Sequence, residues 1–250
     1  MKILLVVLFA VHVCALDDLK IELPIEERIY GGEDAGEHEF PTQASFTSFF
    51  FLPSCGGTIL NEWFILTAAH CLSADRQSSL RVSVGSANIT KGRIYSIQKF
   101  IIHEDYAKPG GIDLALVKLA EPLVLDGVTV KAAILPEQDE EPTSTIATLI
   151  GMGVTDARGS IPGVLQKMTT QLTECSLGKL FSDAKYLCIT QGIHKGVCHG
   201  DSGGPMIVDG KVVGVTKGFI MPICFKTPTQ AFYTKVSSYR SWIDHKMKTE

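Results

Sequence analysis

Beyond an apolar run near its start, the chain lacks any stretch of about 18 apolar residues, the length that a membrane-spanning helix needs. It also lacks a basic run, and its 23 lysines and arginines are outnumbered by 27 acids, for a net charge of −4. These two absences argue against a membrane or a nucleic acid as a partner. With 45% hydrophobic and 20% charged residues, the chain has the profile of a globular protein and not of a disordered one.

The beginning of the chain predicts segments that are removed from the mature protein. Residues 1–15 combine a positive start, an apolar run from Ile3 to Val13 and a small residue at the end, which is typical of a secretory signal peptide cut after Ala15. The alternative is a membrane anchor, but this run is too short to span about 30 Å of hydrocarbon. Residues 16–28 are short, polar and acidic. We interpret them as an activation propeptide, with an unstructured N-terminus as the alternative.

The cysteine count is consistent with secretion. There are seven cysteines, of which one lies in the predicted signal peptide. Six cysteines in an oxidising compartment imply three disulfides, and spacing alone leaves 15 pairings open. Structural zinc is the alternative, but the sequence contains no C-x-x-C or H-x-x-x-H pair. We therefore expect a secreted, extracellular protein.

Short apolar or alternating segments follow one another from residue 40 onward, with Gly, Pro, Ser and Asp between them. Few helical periods accompany them, which predicts an all-β sandwich or barrel. The exception is the C-terminus, where four apolar residues share one helical face. The predicted strands begin near Phe46 and include 63–66, 81–84, 94–102, 114–119, 147–150, 164–172, 206–208, 211–216 and 231–236.

Three short motifs carry the chemistry. They are Thr67–Cys71 (TAAHC), Asp113–Leu116 (DLAL) and Gly200–Pro205 (GDSGGP). Each alone has a structural explanation: a histidine beside a disulfide, an aspartate at a strand start, or a glycine-rich turn. Together, and following Arg28-Ile29-Tyr30-Gly31-Gly32, they resemble the chymotrypsin-like (trypsin-fold) serine endopeptidases. The resemblance runs from Ile29 to about Ile243 and includes PTQ at 41–43, CGG at 55–57, GMG at 151–153 and FYTKV at 232–236.

The resemblance implies two antiparallel six-stranded β-barrels, at about 29–130 and 131–236, with a C-terminal helix. His70 and Asp113 would come from the first barrel and Ser202 from the second. In the family's mechanism Ser202 is the nucleophile, His70 is the general base and acid, and Asp113 orients the imidazole. The backbone N–H groups of Gly200 and Ser202 would form the oxyanion hole.

The same resemblance implies a zymogen. A protease with basic specificity would cut after Arg28, and the freed amino group of Ile29 would then be buried against the Asp201 carboxylate. Tyr30 departs from the aliphatic residue that is usual at its position. The implied disulfides are Cys55–Cys71, Cys175–Cys188 and Cys198–Cys224.

The pocket residues depart further from the family. Gly196 stands where trypsin-like members have an aspartate, so a preference for Arg or Lys is not expected. Lys217-Gly218-Phe219 replaces the common Ser-Trp-Gly, and Ala231 replaces a frequent glycine. Phe219 and Ala231 would narrow the pocket toward elastase-like specificity, whereas a displaced Phe219 would leave a chymotrypsin-like slot. Lys217 would lie near Asp113, where it would weaken the hold of that carboxylate on His70.

We therefore predict a monomeric secreted serine endopeptidase that acts on proteins or peptides and is open to protein protease inhibitors. The alternative is a protease-fold binding or regulatory protein with an occluded pocket. No cofactor is expected, and residues 85–92 contain no acid, which argues against the calcium site of some relatives. Asn88-Ile89-Thr90 is a candidate glycosylation sequon.

Overall fold

A computed structural model describes residues 29–47, 53–72, 79–176, 183–193, 195–219, 224 and 228–250. The predicted signal peptide and propeptide lie outside these residues, as does the part of the first predicted strand after Thr47. Among the described residues, no helix has the length and apolar character that crossing a membrane requires.

Six antiparallel strands close into the first barrel, in the order β2-β3-β4-β7-β6-β5. Alternating apolar residues point inward and form a core that includes Phe46, Leu66, Val82 and Leu116. The strands are β2 (Gln43–Thr47), β3 (Pro53–Ile59), β4 (Phe64–Thr67), β5 (Arg81–Val84), β6 (Arg93–Ile102) and β7 (Ala115–Leu119).

The second barrel has the order β8-β9-β10-β13-β12-β11, and β11 pairs back to β8. Its core includes Leu149, Met168, Ile189 and Tyr233. The strands are β8 (Ile146–Gly151), β9 (Gln166–Thr173), β10 (Tyr186–Gln191), β11 (Pro205–Val208), β12 (Lys211–Phe219) and β13 (Thr229–Lys235). The prediction of two six-stranded antiparallel barrels is thus confirmed.

Two terminal elements complete the architecture. The short strand β1 (Glu33–Asp34) pairs with β9, so this segment joins the second barrel although it precedes the first in the chain. Helix α1 (Arg240–Thr249) follows the last strand, as predicted. Its buried Ile243 packs into the core of the first barrel, so the end of the chain returns to the first half of the molecule.

Candidate active site

Strand pairing explains why His70 and Asp113 meet. β4 and β7 are antiparallel neighbours, with Thr67 opposite Ala115. His70 lies in a 3-10 turn just after β4, and Asp113 lies just before β7. The end of one strand adjoins the start of its antiparallel partner, so residues 43 positions apart in sequence become neighbours.

The two side chains form a close, oriented pair. His70 Nδ1 lies 2.7 Å from Asp113 Oδ2, and the His70 backbone N–H donates to Asp113 Oδ1 at 2.9 Å. A carboxylate only accepts, so Nδ1 carries the hydrogen and Nε2 is left as the acceptor in a neutral ring. Asp113 is buried, whereas the His70 side chain is about one third exposed. Asp113 therefore anchors the imidazole through Nδ1, while part of the His70 side chain remains accessible to solvent.

The Ser202 turn lies against the residues that precede His70. The Gly56 backbone N–H donates to Ser202 O at 2.7 Å. Gly203 has a φ of +76°, and a Cβ there would come within 2.3 Å of Thr67 Oγ1. Glycine is thus required at this position both for the backbone conformation and for the close approach. The turn from the second barrel is consequently pressed onto the His70 segment of the first.

The same turn presents unpaired backbone amides. Gly200 has a φ of +99°, and the Asp201 N–H is used in a bond to Cys198 O at 3.1 Å. Within the part of the chain that the structure describes, the N–H groups of Gly200 and Ser202 have no acceptor. Two free amides that flank a hydroxyl can stabilise a negative oxygen that forms beside it.

Asp201 is buried directly beneath this turn. Its carboxylate accepts from the backbone N–H of Gly153 at 2.8 Å and of Cys198 at 2.9 Å. A Cβ at Gly153 would lie 2.6 Å from Asp201 Cγ, so only glycine leaves room for the carboxylate. Burial raises the pKa of Asp201 to about 6, and the two amide bonds only partly oppose this shift. The carboxylate accepts two hydrogen bonds and has further acceptor positions, so it can also pair with a cation.

Residues after the predicted cleavage point are already packed into the protein. Ile29 is fully buried in the core of the second barrel and has a φ of +25°. Tyr30 is also buried, and its hydroxyl donates to Gly192 O at 2.9 Å. The Tyr30 carbonyl accepts from Gly196 N–H at 2.9 Å. The larger Tyr30 side chain is therefore accommodated, while Arg28 lies outside the described residues.

The predicted pocket residues lie on three segments of the second barrel. Gly196 and Ala231 are buried, and Ala231 pairs with Phe219 across strands β13 and β12. Phe219 is partly buried, and its ring meets that of His199 edge to face with centroids 5.8 Å apart. The predicted pocket residue Phe219 is thus in ring contact with His199, three positions before Ser202.

Lys217 forms contacts that the sequence did not indicate. It lies at a bulge in β12, just before Gly218. Its ammonium donates to Gly111 O at 3.2 Å and to Tyr186 Oη at 3.1 Å, and lies 5.0 Å from the centre of the Tyr186 ring. Tyr186 belongs to β10, which is not among the predicted strands, so no signal in the sequence paired it with Lys217. The charge of Lys217 is thereby directed toward Tyr186 and the loop before Asp113.

The disulfides join the pairs that the resemblance implies, Cys55–Cys71, Cys175–Cys188 and Cys198–Cys224. Two clusters, each of one histidine and two cysteines, have the spacing of a metal site: Cys55, His70 and Cys71, and Cys198, His199 and Cys224. Their sulfurs belong to these disulfides and are not thiolate ligands. The sequon residue Asn88 is half-buried, and its Oδ1 accepts from the backbone N–H of Thr90 at 2.9 Å.

Comparison with known proteins gives concordant matches. The family model described as Trypsin matches residues 29–243. Transmembrane protease serine 11C of Mus musculus is 30% identical over 234 residues, which cover 88% of this chain and 53% of that protein. Trypsin of Phaedon cochleariae is 31% identical over 238 residues, 90% of each chain. Chymotrypsin-like elastase family member 1 of Macaca fascicularis is 30% identical over 239 residues, 87% of this chain and 88% of that protein. The chain therefore spans about half of the first relative and most of the other two.

Proposed function

Because the chain belongs to the trypsin family, we propose that it is a secreted serine endopeptidase, made as a zymogen, that cleaves peptide bonds through Ser202, His70 and Asp113. The observation that carries the proposal is the His70–Asp113 pair, joined by hydrogen bonds of 2.7 and 2.9 Å. The Ser202 turn packs against Thr67, in the segment just before His70. A protein that only binds a partner would not need this oriented imidazole.

The proposed chemistry proceeds through an acyl-enzyme. Ser202 Oγ attacks the substrate carbonyl carbon, and its proton passes to His70 Nε2. The C–N bond then breaks, and His70 returns the proton to the leaving amine. A water molecule repeats the sequence with the acyl ester and releases the acid. Throughout, Asp113 stabilises the imidazolium, and the free amides of Gly200 and Ser202 stabilise the oxyanion, each donor contributing about 3–4 kcal/mol.

Two observations support the zymogen mechanism. Asp201 is a buried carboxylate with two amide donors and a raised pKa. Cleavage after Arg28 would give this carboxylate a counter-charge, the ammonium of Ile29. Ile29 has a φ of +25°, an outlier for a β-branched residue that costs about 1–3 kcal/mol. Cutting the bond before Ile29 frees this torsion and creates the amine in one step.

The proposed substrate preference is for small aliphatic residues before the scissile bond. Gly196 offers no charge to Arg or Lys, and an unpaired cation buried there would be penalised strongly. Phe219 and Ala231 occupy volume that a large aromatic substrate residue would need. Discrimination among Ala, Val and Leu should be modest, since one methylene is worth about 1–3 kcal/mol in such a pocket.

The proposal includes secretion, an activating protease with basic specificity and a glycan on Asn88.

One observation favours the second candidate, a protease-fold binding or regulatory protein. Phe219, a predicted pocket residue, is held in an edge-to-face contact with His199, and a rigid contact would keep the Phe219 ring in the pocket. An enzyme instead requires Phe219 to yield to substrate.

Hydrolysis of a peptide library distinguishes these candidates. The precursor is cleaved after Arg28, and its products are compared with those of the Ser202→Ala variant prepared in the same way. We expect cleavage after small aliphatic residues and a loss of about 10⁶-fold in kcat for Ser202→Ala. A cleaved, folded protein that hydrolyses no peptide would support the binding protein.

A further inference from the structure

We propose that Gln191 is a specificity-determining residue that closes the floor of the substrate pocket beneath Gly196. The proposal rests on the proteolytic function proposed above and deepens it. Gln191 is the last residue of β10, and only 2% of its surface is exposed. A buried glutamine is uncommon unless its amide is used, so its partners identify its role.

The Gln191 carboxamide is fixed on the backbone next to Gly196. Its Oε1 accepts from Val197 N–H at 3.1 Å, and its Nε2 donates to Val197 O at 3.3 Å. Both backbone groups of one residue, Val197, pair with one side chain, which holds the carboxamide plane in place. The side chain therefore forms a fixed part of the pocket wall.

Gln191 also fills the space into which a side chain at position 196 would project. A Cβ built on Gly196 would lie 2.7 Å from Gln191 Cβ, Cδ and Oε1, closer than real Cβ atoms approach. Gly196 is also held by its N–H, which donates to Tyr30 O at 2.9 Å. A backbone shift that made room for a side chain at position 196 would disturb that bond.

Two consequences follow for the substrate. An aspartate at position 196 would not fit while Gln191 is present, so Gly196→Asp alone cannot give this chain a trypsin-like floor. The group that lies there is a neutral carboxamide, which offers no counter-charge to Lys or Arg. The substrate residue that this pocket takes is therefore uncharged and short.

Binding of n-propylammonium, a slim aliphatic cation that a narrow pocket can take, tests this assignment without requiring turnover. Calorimetry on the cleaved protein compares wild type with Gln191→Glu, which keeps the shape of the side chain and places a carboxylate under Gly196. We expect a gain in affinity of about tenfold or more. The matched control is Thr190→Glu, which adds the same charge one residue away on the exposed side of β10. It should change the affinity by less than about twofold.

A second set of variants tests the steric argument. Gly196→Asp alone should gain little affinity for n-propylammonium and should lower the melting temperature. Gln191→Gly combined with Gly196→Asp should bind the cation at least about tenfold more tightly than either single variant. Two results would overturn the proposal. One is Gly196→Asp alone binding the cation as tightly as the double variant. The other is no gain in affinity for Gln191→Glu when circular dichroism shows a folded protein.

The outcome is separable from that of the proposed function. Labelling of Ser202 with a fluorophosphonate reports the nucleophile and does not require a charged pocket. A labelled protein whose Gln191→Glu variant gains no affinity retains its proteolytic function and loses this inference. A protein that takes no label, but whose Gln191→Glu variant gains affinity, retains this inference and loses the proposed proteolytic function.

Discussion

At the scale of single residues, Asp201 links the proposed activation to the stability of the uncut chain. Its carboxylate is fully buried in the uncut chain and accepts two backbone hydrogen bonds. Burial raises its pKa from 3.8 to about 6, so the folded precursor holds a proton that the unfolded chain releases near pH 4. Proton binding and folding are coupled through this group.

The sign of this coupling gives a pH prediction. Between about pH 4 and pH 6 the native state binds more protons than the unfolded state, so the contribution of Asp201 to the free energy of unfolding falls as the pH rises. The loss should total about 3 kcal/mol and level off above pH 6. Urea unfolding of an Arg28→Gln precursor across this range measures it. The Asp201→Asn variant should lack this component, and identical pH profiles for the two proteins would contradict the argument.

Tyr30 provides a second prediction at this scale. Its buried hydroxyl donates to Gly192 O, so Tyr30→Phe leaves a carbonyl without that partner. We expect a loss of about 1 kcal/mol, or a fall in Tm of about 2–4 °C. Scanning calorimetry checks this, with Tyr106→Phe at a more exposed site as the control. A fall of equal size in the control would remove the role assigned to the Tyr30 hydroxyl.

Single residues also show how far sequence reasoning reaches. The positions of His70 and Asp113 could be predicted because the family motifs are local strings. The partners of Lys217 and the place of Gln191 could not, since both depend on β10 lying beside other segments in space. Gln191 precedes Gly196 by five positions, and only the fold turns the intervening loop back so that one side chain fills the space of the other.

At the scale of elements, helix α1 is the clearest case of a predicted segment with a testable role. Its buried Ile243 enters the core of the first barrel. Ile243→Ala should lower the free energy of unfolding by about 2–5 kcal/mol through lost burial and a residual cavity. Denaturant unfolding measures this, with exposed His245→Ala as the matched control on the same helix. A change below about 1 kcal/mol would mean that the helix contributes little to the first barrel.

Some strands show the apolar alternation that predicts a strand, whereas β3 is built around small residues. β5 and β6 alternate and were found within one residue of their bounds. β3 shows no such alternation, because its central CGG string has two adjacent glycines. The structure needs both glycines in that strand: a Cβ on Gly56 would lie 2.7 Å from Gly204 Cα, and one on Gly57 would lie 2.8 Å from Ile65. Close packing, which sequence does not display, overrides the usual strand preference.

At the scale of the whole molecule, the site depends on the contact between the two barrels. The Gly56 N–H bond to Ser202 O and the approach of Gly203 to Thr67 hold the turn of one barrel against the histidine segment of the other. The residues proposed for the chemistry therefore come from opposite sides of an interface, while Ile29 is buried in the core of the second barrel. Activation is expected to act on the Ser202 turn and to leave the His70–Asp113 pair unchanged.

Covalent labelling of Ser202 tests the central claim most directly. The precursor and the protein cut after Arg28 are treated with a fluorophosphonate, which reacts with a serine only when a base and an oxyanion hole activate it. Mass spectrometry should find one label per cut chain on Ser202, far slower labelling of the precursor, and none on the cut Ser202→Ala variant. A cut and folded protein that takes no label at Ser202, or a precursor labelled as fast as the cut form, would contradict the account.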